Sequence, residues 1–336
     1  MKTVVCEKPH ELAVVERNRP TRGPGQVMVR IRRVGLCGTD FHIFAGNQPF
    51  LNYPRVMGHE LSGEIAEADG SSEFVAGQIV TINPYLACGT CIACRKAKPN
   101  CCVSIKVMGV HIDGGMTEFV CVPEDSIVNA WGLSLDQAAM VEFLSIGAHA
   151  VRRAGLEPGE RALITGAGPI GIAAALFARI AGADVMLVDT VHERLTYATE
   201  KLGFDSIAVV DETLPEVLTQ RTFGEGFDAV FDATGSARAI ESGFQYVAHG
   251  GRYVLVSVVK DTISFSDPEF HKREMQLIGS RNATHQDFQN VIANIRAGTI
   301  PTSALHTHTF ELEDMPSVVP YYIENRGSVL KAIGQL

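Results

Sequence analysis

The chain has 336 residues, of which 46% are hydrophobic and 20% are charged, as in an ordinary soluble globular protein. This length predicts two domains rather than one core. The formal charge of −9 argues against a nucleic-acid surface, and no apolar stretch approaches the ~20 residues of a membrane span. The start has no long apolar segment of the kind found in secretory signals. Five of the eight cysteines are grouped at residues 88–102 as candidate metal ligands, which together with that start predicts a protein of the reducing cytoplasm.

Short strands separated by turns are predicted for the first part of the chain, to about residue 145. This part is rich in β-branched residues, glycine and proline, and the clearest strand segments are VMVRIRRVGLC, HELSGEIAEA and QIVTIN. A mostly-β domain is therefore expected here.

A metal site with mixed ligands is suggested by Cys37, His59, Glu60 and Glu142. Thiolate, imidazole and carboxylate groups all bind zinc, and three protein ligands plus water or substrate describe a catalytic site. These residues are far apart along the chain, so only the folding of the domain could bring them together.

A second metal site is indicated by the cysteine-rich segment CGTCIACRKAKPNCC. Cys88, Cys91 and Cys94 are separated by C-x2-C steps, and either Cys101 or Cys102 could supply a fourth thiolate. A zinc ion closed by four thiolates has no position for substrate, so this site is predicted to be structural.

Alternating strands and helices are predicted from about residue 150. The apolar runs ALITGA, DVMLVD, DAVFDATG, GRYVLVSVV and MQLIGSR have the length of strands, and PIGIAAALFARIAG and HERLTYATEKLG have the length of helices. This alternation predicts a doubly wound parallel sheet. After about residue 285, QDFQNVIANIRAG is predicted to be helical, and mixed strand character follows.

A dinucleotide site is predicted by the segment ALITGAGPIG, in which G-x-G-x-x-G follows a strand and opens a helix. Asp189 ends the next strand, where a carboxylate accepts hydrogen bonds from a ribose and disfavours a 2′-phosphate, so NAD(H) is predicted over NADP(H). Arg194 weakens that preference, because it could reach a phosphate. The residues predicted to bind the cofactor are Gly166, Gly168, Pro169, Ile170, Gly171, Asp189, Arg194 and Thr234.

These motifs together resemble the zinc-dependent medium-chain alcohol dehydrogenases. The resemblance rests on C-x2-C-x2-C-x7-C, the GHE segment at residues 58–60, the CGTD segment at residues 37–40 and the glycine-rich motif, and it extends over essentially the whole chain. It implies a GroES-like catalytic domain at residues 1–145, completed by 286–336, and a Rossmann NAD-binding domain at 146–285. It also implies two zinc ions per chain, with Cys102 as the fourth structural ligand and Cys101 as a spare.

The resemblance further implies roles around the catalytic zinc. Cys37 and His59 would be ligands, and Glu60 and Glu142 would both approach the metal, directly or through water. Phe143 replaces the proline that is common after the later glutamate, which leaves the placement of Glu142 open. Thr39 and His42, two and five residues after Cys37, would carry the proton of the substrate hydroxyl to solvent.

The substrate prediction also comes from resemblance. A glutamate-containing zinc site resembles the sorbitol and polyol branch, and GNQPFLNYPRVMGHE, GVHIDGGMTEF and SFSDPEFHKREMQLIGSRNAT are similar to bacterial hexonate 5-dehydrogenases, which act on L-galactonate and L-gulonate. A sugar acid needs a cation and many hydrogen-bond partners. The candidates for these contacts are Gln48, His111, Lys272, Arg273, Arg281 and Asn282.

Two alternative functions remain open at this point. Oxidation of threonine, butanediol or another secondary alcohol would use the same metal and cofactor. A non-catalytic zinc-binding interaction protein is a different class, which the acidic charge and the dinucleotide motif disfavour. By analogy with the polyol branch, the enzyme is expected to be a homotetramer or a homodimer with a small-molecule partner and no membrane.

Overall fold

The computed structural model describes residues 1–48 and 51–336. The chain forms two compact units, Met1–Phe143 with Thr284–Leu336, and Leu144–Ala283. The strands are β1 Lys2–Lys8, β2 Glu11–Glu16, β3 Gln26–Gly35, β4 Arg55–Val56, β5 Glu60–Glu67, β6 Ile79–Ile82, β7 Tyr85–Leu86, β8 Lys106–Val107, β9 Phe119–Pro123, β10 Ile127–Asn129, β11 Arg161–Thr165, β12 Asp184–Asp189, β13 Ile207–Val209, β14 Phe227–Asp232, β15 Val247–Leu255, β16 Gln276–Gly279, β17 His306–Glu311 and β18 Lys331–Gln335.

The helices, in the same described residues, are α1 Gly38–Phe44, α2 Ile92–Arg95, α3 Leu135–Ala139, α4 Val141–Ala154, α5 Pro169–Ile180, α6 His192–Leu202, α7 Leu214–Arg221, α8 Ala237–Gly243, α9 Asp267–Lys272, α10 His285–Arg296, α11 Thr302–Leu305 and α12 Met315–Glu324. Over residues 1–48 and 51–336, each of these helices is too short or too polar to span a bilayer.

The first unit is built around a mostly antiparallel sheet in the order β10-β6-β5-β3-β18-β17, with β9 also paired to β3. The long strand β3 is its centre, because it bonds to β5, β9 and β18. Its apolar side chains Val27, Val29 and Ile31 are almost fully buried in the core of this unit. The C-terminal strand β18 therefore completes a sheet that begins near the N-terminus.

The second unit is a six-stranded parallel sheet within the described chain, ordered β13-β12-β11-β14-β15-β16. Counted from β11, this is the order 3-2-1-4-5-6 of a doubly wound dinucleotide-binding sheet. The fold prediction, a Rossmann sheet plus a mostly-β GroES-like domain, is confirmed. In such a sheet, ligands bind beyond the carboxyl ends of the strands.

Candidate active site and metal centres

Strand pairing brings three of the four predicted mixed-ligand residues together in the first unit. Gly35 at the end of β3 pairs with Glu60 at the start of β5. Cys37 lies two residues after the end of β3, as the residue that precedes α1, and His59 precedes β5. One ligand atom from each of Cys37, His59 and Glu60 lies within 4.8 Å of the others. Residues that are distant in sequence thus form a compact donor set.

The electrostatics of this donor set fit a bound cation. Burial acts to lower the pKa of His59, but the negative charges of Cys37, Asp40 and Glu142 raise it well above its usual value. His59 Nδ1 is buried and has no hydrogen-bond partner among the described residues. A thiolate, a carboxylate and an imidazole with an unpartnered ring nitrogen are chemically suited to binding zinc.

Glu60 also faces a buried cation of the protein itself. Lys331 Nζ donates to Glu60 Oε1 at 2.6 Å and to Oε2 at 2.5 Å, and it donates to the carbonyl of Leu36 at 3.1 Å. The side chain of Lys331 is 1% exposed and that of Glu60 is 0% exposed. Burial raises the pKa of Glu60 to about 7, against the opposing effect of Lys331. Lys331 Nζ also lies 4.3 Å from the ring centre of Phe143.

Glu142 has a different environment in the first turn of α4. It is 3% exposed, and the phenol of Tyr85 donates a hydrogen bond to its Oε1. Glu142 is outside the compact set of Cys37, His59 and Glu60 in the described structure, although its charge acts on His59. Phe143, the residue that departs from the family proline, is fully buried and packs under Lys331.

Thr39 and His42 lie on α1, immediately after Cys37. Residues three apart are neighbours on a helix surface, so the hydroxyl and the imidazole lie on one side of α1. Thr39 is half-buried and His42 is exposed. Exposure therefore increases from Thr39, close to the metal-ligand segment, to His42 at the surface.

The four cysteines predicted to hold a structural metal form a second compact set. The Sγ atoms of Cys88, Cys91, Cys94 and Cys102 all lie within 4.8 Å of one another. Hydrogen bonds from the amides of Thr90 and Cys91 lower the pKa of Cys88 to about 5, which favours a thiolate. Cys102 is 1% exposed and accepts a hydrogen bond from the amide of Cys88 at 3.2 Å, whereas Cys101 is exposed. The set fits a tetrahedral zinc ion with four sulfur ligands.

The glycine-rich turn of the second unit joins β11 to α5. Gly166 has φ of +95°, and Gly168 precedes α5, whose first residue is Pro169 and whose second, Ile170, is half-buried. A Cβ at Gly171 would lie 1.7 Å from the carbonyl oxygen of Gly166, so only glycine fits there. A tight turn that leads into a helix N-terminus is the arrangement that suits a pyrophosphate, as the sequence predicts for this segment.

Asp189 ends β12 beside this turn. Its Oδ2 accepts a hydrogen bond from the amide of Ala167 at 2.6 Å, and its Oδ1 accepts one from Val191 at 2.8 Å. Arg194 Nη1 lies 3.6 Å from Asp189 Oδ2. The arginine is thus paired with the acid that was predicted to select NAD, and Thr234 lies in the turn after β14.

The substrate candidates are divided between several locations. In the first unit, Gln48 and His111 are half-buried. The loop of His111 packs closely on the segment before His59: a Cβ added at Gly109 would lie only 2.9 Å from the amide nitrogen of Gly58. In the second unit, Arg281 and Asn282 follow the carboxyl end of β16. The glycine-rich turn lies at the same end of the parallel sheet, where all the strands have their carboxyl ends.

Lys272 and Arg273, the other two residues predicted to contact substrate, lie near the opposite, amino-terminal end of β16. Arg273 Nη1 donates to the carbonyl of Val247 at 2.5 Å, and Lys272 Nζ pairs with Glu269 at 3.5 Å. Because the strands are parallel, this end is remote from the glycine-rich turn. The sequence could not distinguish these two ends of one short strand.

Comparison with known proteins agrees with this arrangement. The family model for the alcohol dehydrogenase GroES-like domain matches residues 23–131, and that for zinc-binding dehydrogenases matches residues 169–297. L-galactonate-5-dehydrogenase of Escherichia coli K12 is 38% identical over 334 residues, which cover 99% of this chain and 98% of that protein. The chain belongs to the zinc-dependent alcohol dehydrogenase family. The predicted family, the enzyme class and the zinc and nicotinamide cofactors are thereby confirmed.

Two further relatives of this dehydrogenase are informative. The 2-dehydro-3-deoxy-L-galactonate 5-dehydrogenase of Pseudoalteromonas atlantica is 33% identical over 307 residues, or 90% of each chain. The crystal structure of the alcohol dehydrogenase RspB from Escherichia coli CFT073, complexed with NADH, superposes with a TM-score of 0.94 at 28% identity, covering 100% of this chain and 99% of that one.

Three residues of the dehydrogenase site were missed by the sequence interpretation. Asp40 is fully buried, and its carboxylate accepts hydrogen bonds from the amides of Cys37 at 2.9 Å and Gly58 at 3.3 Å. Its position in the CGTD segment was an available signal. Tyr85 and Lys331 had no local signal, because each reaches its acid only through tertiary folding.

The cysteine assignment predicts different results for two adjacent residues. Cys102→Ser should reduce the zinc content by about one ion per chain and lower the melting temperature, because it removes a buried ligand. Cys101→Ser should retain both zinc ions and the stability of the wild type. Elemental analysis and thermal unfolding of the two purified variants measure this, and loss of zinc from the Cys101 variant would contradict the assignment.

The buried ion pair predicts a non-additive effect on stability. Lys331→Met should cost about 3–5 kcal/mol in the free energy of unfolding, because it leaves the Glu60 carboxylate buried without its cation. The double variant Glu60→Gln/Lys331→Met should regain much of that loss. Denaturant unfolding measures both, and Lys8→Met, in an exposed pair, should leave the stability unchanged. A Lys331→Met protein as stable as the wild type would refute the importance of the pair.

Proposed function

We propose that this dehydrogenase uses NAD+ to oxidise a secondary hydroxyl of a sugar acid or polyol, in the manner of a hexonate 5-dehydrogenase. The Cys37–His59–Glu60 set, in which Cys37 is half-buried and the other two are buried, carries the proposal, since it offers mixed ligands rather than a closed thiolate shell. Two relatives at 38% and 33% identity are named as 5-dehydrogenases of a galactonate, which supports this substrate class.

In this proposal, Cys37 and His59 hold the catalytic zinc, and Glu60 and Glu142 serve as its acidic neighbours. Zinc bound there supplies a Lewis acid for the substrate hydroxyl, and NAD+ supplies the hydride acceptor. Lys331 keeps Glu60 in a fixed orientation, and Tyr85 does the same for Glu142. Asp40 fixes the backbone of both ligand segments through the amides of Cys37 and Gly58.

The proton of the substrate hydroxyl is assigned to Thr39 and His42. Thr39 Oγ1 accepts it from the substrate and passes its own proton on, and the exposed imidazole of His42 releases a proton to water. Histidine suits this step because its ordinary pKa lies near neutral pH. The two residues lie three apart on α1, which makes them neighbours on the helix surface and supports this assignment.

The dinucleotide is assigned to the turn that joins β11 to α5. Gly166, Gly168 and Gly171 allow its pyrophosphate to approach the start of α5, with Pro169 and Ile170 as the first residues of that helix. Asp189 serves the adenosine ribose, which favours NAD(H) over NADP(H), and Arg194 is held against that acid. Thr234 lies at the carboxyl end of the neighbouring strand β14.

For the substrate carboxylate and hydroxyls, the proposal retains Gln48, His111, Arg281 and Asn282. The positive charge of Arg281 suits a carboxylate, and the amides and the imidazole suit hydroxyl groups. Lys272 and Arg273 are omitted, because they lie at the opposite end of β16 from the glycine-rich turn.

The proposal includes a homodimer or homotetramer in the reducing cytoplasm. Strand β16 is an edge of the parallel sheet with mostly exposed residues, and Leu277 on it is 42% exposed. Exposed edge strands are sites where a second chain can pair. Light scattering should give the mass of two or four chains, and a monomer would reject this part.

The substrate proposal predicts the ranking in an NAD+-coupled assay. L-galactonate or L-gulonate should give kcat/KM at least about 100-fold above ethanol, because a site that hydrogen-bonds hydroxyl groups rejects substrates that lack them. Sorbitol and threonine complete the panel. If threonine or ethanol exceeds the hexonates, the substrate class is rejected, while the dehydrogenase assignment stands.

The metal-ligand proposal predicts a separation of turnover from cofactor binding. His59→Ala should lower kcat by about 1,000-fold through loss of the catalytic metal, and NADH binding should persist. His249→Ala, which changes an exposed histidine, serves as the control and should keep full activity. Wild-type turnover in a His59→Ala protein that lacks this metal would contradict the proposal.

A further inference from the structure

Asp232, the last residue of β14, is a fully buried carboxylate to which the mechanism assigns no role. Thr234 Oγ1 donates to its Oδ1 at 2.7 Å, and Thr165 Oγ1 lies 3.4 Å from the same oxygen. Ser257 Oγ donates to Oδ2. The carboxylate thus gathers three hydroxyl groups from different parts of the chain.

These hydroxyl groups come from the carboxyl ends of three adjacent strands. Thr165 ends β11, Thr234 lies in the turn after β14, and Ser257 follows β15. The backbone strengthens the same junction, because the amides of Val256 and Ser257 donate to the carbonyl of Asp232 at 3.0 and 3.1 Å. Asp232 therefore joins the strand ends where a doubly wound sheet receives its ligand.

The turn after β14 packs directly against the glycine-rich turn. A Cβ at Gly166 would lie 3.0 Å from the carbonyl oxygen of Ala233 and 3.3 Å from the amide nitrogen of Thr234. A Cβ at Gly171 would lie 3.6 Å from the Cβ of Ala233. Because the two turns leave no room for a side chain between them, a shift of Ala233 or Thr234 toward the glycine-rich turn would displace its backbone.

Burial makes the charged form of the Asp232 carboxylate energetically unfavourable. Desolvation raises the pKa of Asp232, and the hydrogen bonds from Ser257, Thr234 and Thr165 reduce that effect without cancelling it. The hydrogen bonds to Asp232 come from hydroxyl groups and from the backbone amide of Thr234, and such neutral donors offset less of the desolvation cost than a paired cation would. A buried polar network that is fully hydrogen-bonded fixes the geometry of the segments that it joins.

We propose that Asp232 is a positioning residue for the dinucleotide: through Thr165, Thr234 and Ser257 it holds the turn after β14 against the glycine-rich turn and so sets the affinity for NAD(H). This inference rests on the dinucleotide site assigned under the proposed function. Asp232 acts through its neighbours, so its effect falls on cofactor binding and not on the hydride step.

The test compares Asp232→Asn with Asp228→Asn, at opposite ends of β14. Asp228 Oδ2 accepts a hydrogen bond from the amide of Arg161 at 2.8 Å, so its variant also removes a charged acceptor that contacts β11. NADH binding by fluorescence titration, the KM for NAD+, kcat and the melting temperature are measured for both proteins.

Asp232→Asn should raise the Kd for NADH and the KM for NAD+ by about tenfold, with kcat at saturating NAD+ within about twofold of the wild type. Asp228→Asn should leave both constants unchanged. A merely structural role predicts a lower melting temperature for both variants and an unchanged Kd, and this result would overturn the inference.

Ser257→Ala supplies a second variant if Asp232→Asn does not fold. It removes one donor to the carboxylate and should raise the Kd for NADH by about two- to threefold, and an unchanged Kd in this variant would overturn the inference. Failure of the wild type to bind NADH would overturn the dinucleotide site itself. Normal binding by the wild type and by all variants would overturn the role of Asp232 alone.

Discussion

The pairing of β3 with β5 and β18 is the constraint on which the metal centre depends. It places the thiolate after β3, the imidazole and carboxylate at the start of β5, and the ammonium group of β18 in one buried volume. Charged groups in such an environment require partners, because desolvation is costly. Lys331 supplies one positive charge to Glu60, and the remaining donors of Cys37 and His59 are suited to a metal ion.

The two proposed zinc sites show how ligand chemistry separates structure from catalysis. Four cysteines within one short lobe can enclose a metal with little help from the rest of the fold, and they leave no open position. The mixed site has ligands from separate strands and helices, with Asp40, Tyr85 and Lys331 behind them. Such outer contacts orient metal ligands and tune their charge.

In the second unit, close packing of backbone segments fixes the shape of the glycine-rich turn. Gly171 allows the first turn of α5 to touch the carbonyl of Gly166, and Gly166 in turn allows the chain after β14 to approach. Side chains at these positions would separate the turns, whereas the hydroxyl groups around Asp232 draw the strand ends together. The cofactor site is therefore formed by contacts among strand ends as much as by the motif itself.

The sequence by itself determined the fold class, the structural zinc cysteines as a group and the glycine-rich turn, because each depends on local spacing or periodicity. Cys37 and His59 required resemblance, since they lie on separate segments. Only the tertiary structure decided that Cys102 is buried with the cluster while Cys101 is exposed, and that Arg273 lies at the far end of its strand from the glycine-rich turn. It also revealed Lys331 and Asp232, because contacts between residues far apart in sequence depend on strand pairing, which no local pattern encodes.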